Sequence, residues 1–150
     1  MKKKNQKTFF SKRLQNLGFH QESIDCYKLL LERTIPENQT LYLLYNGIAQ
    51  ASEASEQYEN AAENYILALK YVASSQNLNI LSKLCYIYDH KLNHFNSASY
   101  YYNWYLGSLK VYRNFLSEQN PVDSVKIKEF DDTIFELEKY LVSYKEQGDR

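Results

Sequence analysis

The chain has 150 residues, with 18 Lys plus Arg against 18 Asp plus Glu, so it fits one core and carries no global field for nucleic acid or an anionic membrane surface. Only 4 Gly and 2 Pro punctuate it, which favours long helices over a sheet with many tight turns. The 15 Tyr supply apolar faces with polar tips, and no apolar run reaches the 18 or so residues of a membrane span.

Met1-Lys2-Lys3-Lys4 resembles the start of a secretory signal, but Asn5, Gln6, Lys7 and Thr8 follow where an apolar segment is required. The expectation is mature helix from about residue 4. Lys12 and Arg13 extend this basic start, which reads as a solvated helix end because the aromatic strand modules of RNA binders are missing.

From Leu17 to Leu31 the chain sets out a plan that it repeats twice. Ser23, Tyr27, Leu30 and Leu31 are followed 38 residues later by Ala61, Tyr65, Ala68 and Leu69, and 37 residues after that by Ala98, Tyr102, Tyr105 and Leu106. A small residue, an aromatic four on and an apolar pair beyond it form one stripe of a helix. Preceding each stripe is another: Phe10, Ser11 and Leu14, then Ile48, Ala49 and Ser52, then Leu84, Cys85 and Tyr88. Each unit is therefore two helices, and recurrence at this interval is the mark of a stacked repeat. Units one and two place 12 residues between their two small positions and unit three places 13, an insertion expected in the turn Leu92–Phe95.

Breaks fall between these stripes. Gly18 suits a helix end that needs positive φ, Pro36 follows the second helix, and 73–77 forms a polar link. Asn120-Pro121 is expected to cap a last helix of about 122–147. Ile127, Phe130, Ile134, Leu137, Leu141 and Tyr144 give that helix a narrow apolar seam, for covering the end of the stack or for pairing with a second copy. Its acids Glu129, Asp131, Asp132 and Glu136 read as a solvated face rather than catalytic carboxylates. The pair His90 and His94 lacks further ligands for a metal site. Cys26 and Cys85 lie on apolar stripes without a C-x-x-C frame, which suggests a reduced, cytoplasmic protein.

Taken together, YNGIAQAS from Tyr45, LSKLCYIY from Leu81, ENAAENYILAL from Glu59 and LGFHQESIDCYKLLLE from Leu17 resemble the tetratricopeptide repeat family. The resemblance spans about residues 4–117 as units of 4–36, 42–75 and 78–117, with 121–147 left as a capping helix. It departs from the family in its unit lengths of 36 to 38 residues, in lacking Trp at the first position, and in Ser11 and Cys85 where Gly or Ala is usual. What it implies is a right-handed α-solenoid of antiparallel helix pairs, about seven helices in one domain, with a concave groove lined by the first helices. Such proteins mostly act as adaptors or scaffolds that bind a peptide or a partner protein. Groove positions projected from it are Thr8, Lys12, Gln15 and Asn16, then Asn46, Gln50 and Glu53, then Asn79, Ser82, Tyr86, Asp89 and His90. The subclass that clamps chaperone tails is excluded, because its five positions hold Thr8, Lys12, Gly47, Asn79 and Lys83.

A second patch is expected on the aromatic helix, where Tyr102, Tyr105 and Leu106 face the core by register. Tyr101, Trp104 and Tyr112 then point under the last helix or into an exposed partner-binding surface. No nucleophile–base pair or phosphate loop is present, so the expectation is a protein without catalysis or cofactor. Two other roles stay open: a structural subunit assembling through its ends or its last helix, and a peptide-sensing regulator.

Overall fold

Helices make up most of the described residues because apolar residues recur at three- and four-residue spacing with few Gly or Pro to interrupt them. The computed structural model describes residues 2–33, 37–72, 77–119 and 121–148, with side chains from 8 to 144 apart from Arg33. Among these residues there are seven α-helices and no strand: α1 Lys2–Asn16, α2 His20–Arg33, α3 Asn38–Ala54, α4 Tyr58–Leu69, α5 Asn77–Tyr86, α6 Phe95–Ser117 and α7 Ser124–Gly148. A π-helical turn, Ile87–Lys91, continues α5. The all-α expectation of about seven helices holds. Pro36, Asn120 and the link at 73–76 lie outside the described residues. The chain divides into two compact units, residues 1–73 and 74–150.

In the first unit, α1 to α4 pack each on the next, and α1 also touches α3. Ile24, Tyr27 and Leu30 of α2 interlock with Leu44, Ile48 and Ala51 of α3, all buried. Small residues sit where paired helices cross. Ser11 and Ser23 are completely buried, and the Ser23 hydroxyl donates to the Ser11 carbonyl at 2.8 Å. Ala49 and Ala61 take the same positions in the next pair and are equally buried. Nothing larger fits at such crossings without pushing the backbones apart. Phe10 is exposed, unlike its equivalents Ile48 and Leu84.

The second unit repeats the crossing with Cys85 and Ala98, both buried, and adds α7 along α6. Ring contacts between Tyr112 and Phe130, and between Phe95 and Tyr144, show that α7 runs antiparallel to α6. Leu141 and Tyr144 are buried, and the rest of the seam, from Ile127 to Leu137, is half-buried. The seam is thus used within this unit. Arg113 pins the arrangement through two hydrogen bonds to Asp131, at 2.8 and 3.1 Å. α7 begins at Ser124 rather than 122, because Asp123 is its cap: the Asp123 carboxylate accepts the Lys126 amide at 3.0 Å.

The three turns inside the helix pairs share one geometry. Each is three residues long, and its middle residue has positive φ: Gly18 at 85°, Glu56 at 59° and Asn93 at 50°. In the first two, the amide after that residue reaches back five positions, Phe19 to Leu14 and Gln57 to Ser52, which closes the helix with a Schellman cap. In the third, His94 reaches back six, to Tyr88, at 2.7 Å. The extra residue of unit three therefore does not lengthen the turn, contrary to the sequence expectation. It is taken up one turn earlier, where Leu92 bonds to Ile87 in the wider π pattern.

Candidate functional site

Two regions gather the residues singled out from the sequence. The first lies on the first helices of unit 1–73. Because α1 and α3 touch, positions 38 residues apart become neighbours, and the Lys12 ammonium donates to the Gln50 amide oxygen at 2.6 Å and to Gln15 at 3.2 Å. Lys12 and Asn16 are exposed, while Thr8, Gln15, Asn46 and Gln50 are half-buried. Among these six residues are one cation and amide groups that both donate and accept.

Glu53 belongs to a different pattern. It accepts the Tyr65 hydroxyl at 2.7 Å, a bond between the two helices of one pair. Burial, followed by this carboxylate, pushes the Tyr65 phenol well above its ordinary value. Asp89 stands at the equivalent place in unit three and accepts from Tyr102 at 3.0 Å. Gln15 is the unit-one equivalent of Glu53 and Asp89 by position, and it accepts from Lys12. Of the residues projected onto a groove, Glu53 and Asp89 are thus engaged by the aromatic stripe of the following helix.

Asp89 is the more elaborate case. Besides Tyr102 it accepts hydroxyl bonds from two residues of α7, Tyr140 at 2.6 Å and Tyr144 at 3.1 Å. Its side chain is 12 % exposed, and the His90 ring stands 3.7 Å away. Three phenols from two helices thus surround one carboxylate carried on the π turn. Desolvation comes first and the Asp89 hydrogen bond second in raising all three phenols, with Tyr140 pushed up to about 12. A carboxylate so enclosed is an acceptor that fastens α7 to the rest of the unit. Asn79 and Ser82, also projected onto the groove, line a crevice of about 280 Å³ together with Tyr105, Glu129, Phe130 and Thr133. Tyr86 and His90 are exposed, with their rings 5.2 Å apart. Among the described residues, no three His, Cys, Asp or Glu converge as metal ligands.

The second region is on α6. A groove of about 520 Å³ is lined by Trp104, Gly107, Ser108, Val111, Tyr112 and Phe115, with Asn77 at its edge. Of the patch expected from sequence, Trp104 and Tyr112 border this groove, whereas Tyr101 is buried and stacked on Tyr88 at 5.4 Å. Tyr102, assigned to the core by register, is half-buried and turned to Asp89 and α7. Tyr100, Val111 and Phe115 complete the exposed stripe and were not singled out, because their spacing is shared with several other rows on this aromatic helix.

No family model matches the chain, and neither the curated proteins nor the solved structures contain a match. Among the described residues, no helix is long and apolar enough to cross a membrane.

Proposed function

We propose that the protein is a non-catalytic interaction module, an adaptor or scaffold of tetratricopeptide type that holds a peptide or an extended segment of a partner protein. The observation that carries this reading is the contact of Lys12 with Gln50, which sets two first helices side by side and makes one continuous polar surface. A ladder of amides and one ammonium suits a peptide backbone and an acidic side chain, since each amide satisfies a donor and an acceptor at once. The working compartment in this reading is the cytoplasm, where Cys26 and Cys85 stay reduced.

The test is selection of peptides from a random displayed library on the full chain, followed by affinity measurement on Lys12→Ala, Asn46→Ala and Gln50→Ala. Binding should fall by roughly tenfold in at least one of these variants, while thermal midpoint and molecular mass stay unchanged. Recovered peptides that bind all three variants as well as the parent would overturn the assignment of this surface. A role as a self-assembling subunit is favoured by a separate observation, the apolar stripe on α6.

A further inference from the structure

We propose that α6 carries an isologous interface, and that its occupant is α6 of a second copy of this chain, packed antiparallel. This is independent of the first-helix groove, which lies in the other compact unit.

The stripe is palindromic. About the point between Gly107 and Ser108, Trp104 is matched by Val111, Tyr100 by Phe115, and Ser97 by Glu118. A two-fold axis through that point would lay Trp104 of one copy against Val111 of the other, and Tyr100 against Phe115. Self-complementarity of this kind is what a closed dimer requires and an arbitrary partner does not.

The small pair at the centre has no explanation among the described residues. A Cβ built on Gly107 meets nothing within 4 Å, so no neighbour in the structure needs a glycine there, although glycine weakens a helix interior. With Ser108 beside it, it gives the low point at which two helices can cross at about 8 Å.

The charge pattern agrees with this occupant. From Phe95 to Leu109 the helix has no Asp, Glu, Lys or Arg, and the first cations beyond, Lys110 and Arg113, are held by Glu138 and Asp131 of α7. Two copies would therefore meet without like-charge repulsion, and Glu118 would fall near the His94 and Ser97 end of the other copy. Val111 is 72 % exposed, Tyr100 61 %, Phe115 53 % and Trp104 41 %. These fractions leave roughly 450 Å² of side-chain surface open, which forms the apolar centre of the interface, the rest of the ~800 Å² that each partner gives to a standard interface coming from flanking residues of α6. A Trp beside the axis, with an aromatic at each end of the row, has the composition of an interface core.

Sedimentation velocity on the full chain tests this, with a dimer of twice the 17.8 kDa chain mass expected. Val111→Asp and Trp104→Ala should each weaken self-association by roughly tenfold or more, with helical circular dichroism unchanged because both positions are solvent-facing. In a Cys26→Ser background, Ser108→Cys should give a disulfide-linked dimer on mild oxidation, and Tyr100→Cys should not, because only a residue next to the axis meets itself. A monomer at every concentration, or a dimer untouched by both substitutions, overturns the proposal whatever else covers the stripe. Equal cross-linking at 100 and 108 overturns the antiparallel arrangement.

Discussion

The ring of Tyr27 occupies the space that a side chain on Gly47 would need: a Cβ there would lie 2.5 Å from Tyr27 Cζ and 2.7 Å from Cε2. Gly47 is in the middle of α3, where glycine is otherwise unfavourable, and Tyr27 is buried. The second helix of one unit is thereby seated on the first helix of the next.

Replacing Gly47 by Ala should therefore destabilise the protein. Overpacking costs ~1–3 kcal/mol, and the gain in helix propensity returns only about 1 of it. The net loss, up to about 2 kcal/mol, lowers the thermal midpoint by up to roughly 8 °C for a chain of this size, measurable by calorimetry.

Glu56 and Gly18 hold the same left-handed position in successive turns, one with a side chain and one without. Glu56→Gly should stabilise by about 0.5–1 kcal/mol, since it removes the clash of Cβ with the following carbonyl. Gly18→Ala should cost about 1 kcal/mol for the same reason. Chemical denaturation of the two variants checks the opposite signs.

The three phenols around Asp89 are not equal in consequence to the carboxylate they share. Tyr140→Phe removes one bond and should cost about 0.5–1.5 kcal/mol. Asp89→Ala leaves three hydroxyls without their common acceptor and should cost about 2–4 kcal/mol. Hydrogen exchange should show the loss first in the amides of α7.

Alkali should release the same contact. Tyr140 is raised from 10 to about 12, by desolvation first and then by its bond to Asp89. A folded value above the unfolded one gives stability that is complete below about pH 10 and lost as pH rises through about 12. Tyrosinate absorbance followed alongside circular dichroism should show ionisation and loss of helix together in that window. Asp89→Ala should move the ionisation of Tyr140 toward 10.

Much of this architecture is legible in the sequence, because the small–aromatic–apolar stripe is a local property of each helix. Ser11 with Ser23, Ala49 with Ala61, and Cys85 with Ala98 are buried as their recurrence implies. The first break was legible for a similar reason, with Gly18 marking the first left-handed turn. Glu56 and Asn93 in the same role were not, since neither residue type demands that backbone.

The sites were less legible. Lys12 and Gln50 were both named as surface positions, but only the packing of α1 beside α3 brings them to 2.6 Å. Asp89 reads from the sequence as a groove position, yet it is enclosed by tyrosines that follow it by 13, 51 and 55 positions. No periodicity connects residues so far apart.

What the sequence by itself determined is the set of helices and the crossing points within each pair, since both follow from which side chains are small or apolar at a helical spacing. The tertiary structure alone decided which rows of a many-sided aromatic helix are covered. Once α7 lies along α6 and turns Tyr140 and Tyr144 to Asp89, it covers one face and leaves Trp104, Val111 and Phe115 open. An apolar row specifies that it can be buried, and only the position of its neighbours specifies whether it is.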